Sequence, residues 1–162
     1  MATLRETRGD SMRVDDIMTR DVAACAQDDT LNRAAELMWE RDCGVIPVRE
    51  GKRVVGVVTD RDCCMAAYTK GRRLDEIGVG ETMSRDVKAC APGNTLAEVE
   101  RRMAQFQIRR MPVLNDGHLV GIVSMNDIAL AAQRGQASPD EIAETLAAVC
   151  RHRGQPQPLA AE

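Results

Sequence analysis

Residues 56–62 read Gly-Val-Val-Thr-Asp-Arg-Asp, and residues 121–127 read Gly-Ile-Val-Ser-Met-Asn-Asp. Each stretch is a short apolar strand followed by a hydroxyl residue and, three positions later, an aspartate. A Ser or Thr at the end of a strand predicts a helix N-cap, because its side-chain oxygen accepts a free backbone N–H of the first turn. The aspartate adds negative charge at the positive end of the helix. One such stretch indicates only a capping box, but two at equivalent places favour a functional role.

The two stretches belong to a longer internal repeat with an offset of 65 residues. The offset holds without a gap from Val14 to Asp62, and it aligns, for example, Pro47-Val48 with Pro112-Val113. Two copies of one supersecondary unit are too few for a solenoid. We therefore expect an α+β fold in which two units form a pseudo-twofold pair around one shared core.

The composition is that of an ordinary globular protein, with 44% hydrophobic and 29% charged residues in 162. A net charge of −3 and only 2% aromatic residues argue against a polymeric nucleic acid as a partner. No apolar run approaches the roughly 18 residues of a membrane span, and the N-terminus lacks the apolar segment of a secretion signal. We expect a cytoplasmic protein without a membrane partner.

Six cysteines lie at positions 25, 43, 63, 64, 90 and 150, and the two histidines at 118 and 152. The absence of a Cys-x-x-Cys spacing argues against a structural zinc site, so we predict neither a metal nor a cofactor. In a reducing compartment small buried thiols are expected. Two other interpretations stay open: Cys25 and Cys90 approach each other across the pseudo-twofold axis, or the Cys63-Cys64 pair at a helix start is reactive.

Each predicted unit has the order β-α-β-β-α. The first has strands at 22–25, 45–48 and 53–58 and helices at 30–41 and 59–70. The second has strands at 87–90, 110–114 and 118–123 and helices at 95–105 and 124–134. A helical turn at 14–18 leads into the first unit, and a polar connector at 71–80 joins the two. Pro47 predicts a strand that lies at an edge or lacks a neighbour at that residue.

The sequence Ser138-Pro139-Asp140-Glu141 predicts the start of a last helix, packed on the core or on a sister subunit. The predicted domain organisation is therefore an N-terminal extension at 1–12, a first unit at 13–73, a second unit at 74–135, a C-terminal helix at 136–153 and a disordered tail at 154–162.

Three motifs recur in the same order in both units: G-h-h-[ST]-x-x-D, where h is apolar, an apolar-Pro-Val strand, and Asp-Val after Met-Thr-x or Met-Ser-x. Together they resemble the CBS domain (cystathionine β-synthase type) from Val14 to about Arg134. The chain is similar to a stand-alone Bateman-type pair of CBS domains, which commonly forms a homodimer. The resemblance implies a regulatory sensor rather than an enzyme. Its clefts are expected to bind an adenosine-containing ligand such as AMP, ADP, ATP, S-adenosylmethionine or an NAD-type dinucleotide, and an unidentified partner protein would respond.

The resemblance also implies the roles of individual residues. Asp62 and Asp127 are expected to bind ribose hydroxyls, because an ionised carboxylate accepts hydrogens from two vicinal hydroxyls. The residues expected near a phosphate are Thr59, Arg61, Arg109, Arg110 and Ser124. The apolar walls around adenine are expected to be Val22, Ile46, Pro47, Val87, Met111 and Pro112. No catalytic residue is predicted, since the sequence shows no nucleophile with a base and no P-loop.

The two clefts are not expected to be equivalent. The first-repeat counterparts of Arg109 and Arg110 are Gly44 and Val45, which carry no charge. We expect at least one cleft to bind a nucleotide. Two alternatives remain: a ligand-free dimeric interaction module in which both aspartates only cap helices, and a thiol-based or metal-responsive protein.

Overall fold

A computed structural model describes residues 12–151 of the chain. Residues 1–11 of the predicted extension and the predicted tail at 154–162 lie outside the described residues. The helices are α1 (Val14–Ile17), α2 (Leu31–Glu40), α3 (Asp60–Lys70), α4 (Leu96–Phe106), α5 (Met125–Gln133) and α6 (Pro139–Val149). The strands are β1 (Cys25–Ala26), β2 (Val45–Glu50), β3 (Arg53–Thr59), β4 (Arg110–Asn115) and β5 (His118–Ser124). They form one sheet in the order β1-β2-β3-β5-β4, which confirms the predicted α+β pair of units.

Hydroxyl caps begin five of these helices, as the sequence predicts. The side-chain oxygen accepts the backbone N–H of the third helical residue at Thr30, Thr59, Thr95, Ser124 and Ser138. The β4–β5 hairpin turns at Asp116 and Gly117, whose φ angles of 51° and 80° suit the tight turns that join antiparallel strands.

The two units join at the first residues of β3 and β5, where Arg53 pairs with His118. Because this pair is antiparallel, the two strands run in opposite directions from the join. Further along, each strand pairs with the segment that leads into the other unit. Val57 exchanges backbone hydrogen bonds of 3.0 and 2.9 Å with Ser84, and Ile122 exchanges two of 2.9 Å with Thr19. The units therefore exchange their leading segments, residues 14–19 and 77–84, which we call the exchanged segments.

The buried residues form two core clusters, so the prediction of one shared core is wrong. The first cluster combines α2, β2, β3 and α3 with Ile77, Val79 and Met83 from the leading segment of the second unit. The second cluster combines α4, β4, β5, α5 and α6 with Val14 and Met18 from the leading segment of the first unit. Each core thus contains residues from both sides of the predicted boundary at residue 73.

The exchanged segments explain the glycine that opens each motif. A Cβ atom at Gly56 would lie 2.6 Å from Met83 Sδ and 3.0 Å from the Ser84 carbonyl oxygen. At Gly121 it would lie 2.6 Å from Met18 Sδ and 3.0 Å from the carbonyl oxygen of Thr19. Neither glycine has a positive φ, so glycine is present here to let the neighbouring segment approach closely.

The strand predicted at 87–90 is not formed. Only Cys90 makes a bridge there, to Val113. The backbone instead turns at Arg85–Val87, where the Val87 N–H donates to the Arg85 carbonyl, because the segment must pass from β3 to the side of β4. The predicted polar connector contains two 3₁₀ turns, at Leu74–Glu76 and Val79–Glu81.

Pro47 lies in β2 beyond the end of its short neighbour. β1 pairs only with Val48 and Arg49, so no strand faces the missing N–H of Pro47. On its other side Pro47 pairs with Val57 of β3, so the prediction is confirmed for the β1 side alone.

Helix α6 packs against α4 and α5, and its residue Val149 is part of the second core. The Gln107 side-chain amide donates to the carbonyls of Ala148 (3.4 Å) and Arg151 (3.0 Å), which fixes the end of α6 to the end of α4. In the part of the chain that the structure describes, no helix is long and apolar enough to cross a membrane.

Candidate ligand-binding cleft

The two motif aspartates have nearly identical surroundings. Asp62 Oδ2 accepts from the Thr59 backbone N–H (2.9 Å) and from the Thr59 hydroxyl (2.7 Å). Asp127 Oδ2 accepts from the same two groups of Ser124, at 2.8 and 2.6 Å. Each hydroxyl in turn accepts the backbone N–H of its aspartate. Both motifs are therefore complete capping boxes.

These bonds leave one oxygen of each carboxylate available. A carboxylate has about four lone-pair sites, and the capping hydrogens occupy two of them on Oδ2. Oδ1 of Asp62 and of Asp127 makes no hydrogen bond to the described residues. Two acceptor sites on one oxygen match the two hydroxyls of a ribose. The hydroxyl hydrogens of Thr59 and Ser124, by contrast, are already used in the bonds to these aspartates.

A cleft of about 840 Å³ surrounds the first motif, and we call it the Asp62 cleft. Its volume lies within the range of small-molecule sites. The unit-one residues that line it come from the start of β2, from β3 and from the start of α3, including Thr59, Arg61 and Asp62. The unit-two residues come from the segment before α4, from the end of α4 and from the start of β4, and they are Ser84, Asp86, Lys88, Gln107, Ile108, Arg109, Arg110 and Pro112. The cleft therefore lies between the units, where the resemblance places a ligand.

The end of helix α6 closes one side of this cleft with Val149, Cys150 and Arg151. Sequence reasoning did not identify Lys88, Gln107 or Arg151 as site residues. The sequence did contain a signal for Lys88. Its counterpart in the first repeat is the uncharged Ala23, and a difference in charge between counterparts indicates a position where the two clefts differ. For Arg151 no repeat signal existed, since it follows the duplicated region.

The structure brings only some of the predicted apolar walls to the cleft. Pro112 lines it, while Ile46 (1% exposed) and Met111 (fully buried) pack in the two cores. Successive strand residues point to opposite faces, so the neighbours of Ile46 and Met111, and not these residues themselves, face away from the core. Pro47 is buried, and Val22 and Val87 are half-buried outside the residues that line the Asp62 cleft.

A second cavity of about 860 Å³, which we call the Trp39 cavity, lies on the helical side of the molecule. Arg109 and Arg110 line it as well, together with Ser124 and Asn126 of the second motif. Asp127 is among the lining residues of neither cavity. The two arginines, expected at one cleft, thus border both cavities.

Three of the six thiols have a raised pKa. Burial raises the pKa of Cys25 and of Cys90 to about 11, and these residues lie in different cores rather than together on the axis. Burial, then the charges of Asp62 and Asp60, raise the pKa of Cys63 as well. The expectation of a lowered thiol pKa at this helix start is therefore wrong for Cys63, because desolvation and two carboxylates outweigh the helix terminus.

No group of three or more His, Cys, Asp or Glu side chains within residues 12–151 is arranged to hold a metal ion. All six cysteines lie in this range as free thiols. The Asp62 cleft offers a ligand the free Oδ1 of Asp62, several basic side chains and the apolar ring of Pro112.

Comparison with known proteins agrees with this architecture. The profile of the CBS domain matches residues 14–68 and 79–134. The CBS domain-containing protein YhcV of Bacillus subtilis is 38% identical over 117 residues, which cover 72% of this chain and 83% of that protein. Hypoxic response protein 1 of Mycobacterium tuberculosis is 32% identical over 115 residues, covering 70% of this chain and 80% of that one.

Solved structures share the fold. The structure of hypoxic response protein I, which holds two coordinated zinc ions, matches with a TM-score of 0.68 and 31% identity over 74% of this chain and 98% of that chain. The CBS domain pair of protein MJ0100, solved with 5′-methylthioadenosine and S-adenosyl-L-methionine, matches with a TM-score of 0.69 over 76% and 98% of the two chains. At 22% identity this second likeness shows the fold alone. The two profile matches and the relatives place the chain in the CBS domain family, as a protein built around one pair of these domains.

Proposed function

We propose that this protein is a regulatory module that binds an adenosine-containing ligand in the Asp62 cleft. The observation that carries the proposal is the free Oδ1 of Asp62, with two acceptor sites, inside a cleft of about 840 Å³ between the two units. Pro112 offers an apolar contact for a base, and Arg61, Arg109 and Arg110 offer charge for a phosphate.

Regulation would follow from differential affinity. The Asp62 cleft is built from both units and from α6, so a ligand that binds there favours the arrangement in which these three parts are together. A ligand shifts a conformational equilibrium only by its difference in affinity for the two states. A partner protein would then bind one arrangement of the units in preference to the other. The module itself would be a cytoplasmic homodimer without catalytic activity.

Titration calorimetry of the whole chain with AMP, ADP, ATP, S-adenosylmethionine and NAD tests this proposal. Asp62→Asn keeps the shape of the side chain but removes its charge, so we expect it to weaken binding about tenfold or more. Asp127→Asn is the matched control, because Asp127 has the same capping geometry and does not line this cleft. A ligand at 100 times its dissociation constant should also raise the melting temperature by about 5–10 °C.

A flat response to all five compounds, with copurified ligand excluded by mass spectrometry, would contradict the proposal. The second candidate function, a ligand-free dimeric interaction module, would then remain. One observation favours it: Trp39 on α2 and Tyr68 on α3 are 88% and 81% exposed.

A further inference from the structure

The Asp62 cleft contains an unusual number of basic side chains, contributed by four parts of the chain. Arg61 comes from α3, Lys88 from the segment between Ser84 and α4, Arg109 and Arg110 from the junction of α4 and β4, and Arg151 from just beyond the end of α6. Three acidic residues, Asp60, Asp62 and Asp86, line the same cleft. Five cations therefore face three carboxylates in one cavity.

The four arginines are not neutralised locally. Lys88 makes an ion pair with Asp86 at 2.6 Å, but none of the four guanidinium groups makes a salt bridge to any of the residues that the structure describes. Gly44 leaves room for the Asp60 carboxylate, since a Cβ atom there would lie 2.7 Å from Asp60 Oδ2, and Arg110 Nη1 lies on the same side at 3.5 Å. Several unpaired guanidinium groups at one site suit an anion with several oxygens, such as a phosphate.

The pseudo-symmetric positions around Asp127 differ in charge. Shifted by 65 residues, Arg61 corresponds to Asn126, Lys88 to Ala23, and Gln107 to Asp42. Each residue that lines the Asp62 cleft within the repeat has a counterpart 65 positions away. Among these counterparts two are basic, Arg109 and Arg110, and three are acidic, Asp21, Asp42 and Asp127. The environment around Asp62 is therefore the more positive of the two.

Arg151 adds to this difference, and it has no counterpart because α6 lies outside the repeat. Val149 anchors the end of α6 in the second core, and the Gln107 amide donates to the carbonyl of Ala148 in the last turn and to that of Arg151, two residues beyond the helix. The contact with Ala148 matters electrostatically, since the C-terminal end of a helix carries partial negative charge that would oppose a bound anion. The contact with the Arg151 carbonyl fixes the backbone of Arg151, whose side chain lines the cleft.

From these contacts we infer that the appended helix α6 makes the Asp62 cleft selective for a phosphorylated adenosyl ligand, with Arg151 as a specificity-determining residue beside Arg61, Arg109 and Arg110. The inference rests on the proposed function and adds to it the charge class of the ligand and the cleft that takes it. The surroundings of Asp127 do not select a phosphate.

The test compares AMP with adenosine, which lacks only the phosphate, by titration calorimetry of the whole chain. Wild-type protein should bind AMP more tightly than adenosine. Arg151→Gln should weaken AMP about tenfold and leave adenosine unchanged, and Arg151→Lys should retain part of the preference because it keeps the charge. The matched control is Arg134→Gln, an exposed arginine at the end of α5 that lines neither cavity.

Equal affinities of wild-type protein for AMP and adenosine would overturn the inference, as would an equal loss of both in Arg151→Gln or an unchanged AMP affinity in that variant. Loss of AMP binding in Asp127→Asn but not in Asp62→Asn would place the AMP site at Asp127 and not in the Asp62 cleft, and this result would also overturn the inference. If neither compound nor any other adenosyl ligand binds, the proposed function fails as a whole. Binding of adenosine without any preference for a phosphate contradicts the selectivity alone.

Discussion

The two units share one fold, but their helical faces differ. In the second unit α6 covers α4 and α5, whereas in the first unit none of the described helices takes the corresponding place over α2 and α3. The side chains differ as well: the exposed Trp39 corresponds to the half-buried Ala104, and the exposed Tyr68 to the polar Gln133, which is also exposed. The comparison shows that the two units have the same fold because of the repeat, and that their surfaces differ because of single residues and one additional helix, α6.

Glu100 illustrates the same difference from the covered side. Its counterpart in α2 is Ala35. On α4 the glutamate is only 6% exposed, and its Oε1 has no hydrogen-bond partner among the described residues. Burial, then the charge of Glu141 on α6, raises the pKa of Glu100 from 4.5 to about 7. The covering helix therefore buries a carboxyl group that favours the neutral form.

The largest effect is expected on the uncovered face. Because large exposed aromatic side chains often become the dominant contacts of an interface, we predict that Trp39 and Tyr68 lie between two copies of the chain. Trp39→Asp should weaken the dimer at least about 30-fold in sedimentation equilibrium. The control is Leu130→Asp, since Leu130 is 51% exposed on α5 of the other unit. A wild-type chain that sediments as a monomer at high concentration would contradict the prediction.

A smaller effect is expected under the covering helix. Between pH 4.5 and 7 the folded state holds a proton on Glu100 that the unfolded state releases, so this group lowers stability as the pH rises. At pH 8 Glu100→Gln should be more stable than the wild type by at most about 3 kcal/mol, and near pH 4.5 the gain should vanish. Urea unfolding at both pH values measures the difference, with the exposed Glu144→Gln as control. An equal gain at both pH values would show that Glu100 is not the titrating group.

The smallest difference should appear where the units are most alike. Gly56→Ala and Gly121→Ala each place a Cβ atom against a methionine sulfur and a backbone carbonyl of the exchanged segment. Each change should lower the free energy of unfolding by about 1–3 kcal/mol, and the two values should agree closely. A stabilising Gly56→Ala would mean that the segments are not in contact in solution. Gly51→Ala provides a contrast, since there the cost comes from a φ of +59° and not from a neighbour.

Much of the fold could be predicted from the sequence because its signals are local. Hydroxyl caps at Thr30, Thr59 and Ser124 fix where helices begin, and the turn residues Asp116 and Gly117 fix a hairpin. The offset of 65 residues then predicted the elements of the second unit from those of the first. These signals failed at 87–90, where the path of the chain from β3 to the side of β4, and not the propensity of the residues, decides the conformation.

The candidate site could be predicted only in part, because its residues come from distant segments. The capping boxes around Asp62 and Asp127 are local, and their geometry follows the motif. Arg110 was expected to serve the second motif, yet it also lines the cleft of the first, since the cleft is shared between units. The position of Arg151 in the Asp62 cleft leaves no trace in periodicity or spacing, because this residue lies outside the repeat.

The exchanged leading segments have a consequence for the order in which the chain is completed during synthesis. The first core needs residues up to Met83, so it can close while the ribosome still adds the second unit. Val14 and Met18, by contrast, belong to a core whose strand β5 ends only at Ser124. Domains generally fold from the N-terminus as they emerge, but here one of the earliest described segments must wait more than 100 residues for its partners. The residues made first in this part of the protein are among the last to reach their place.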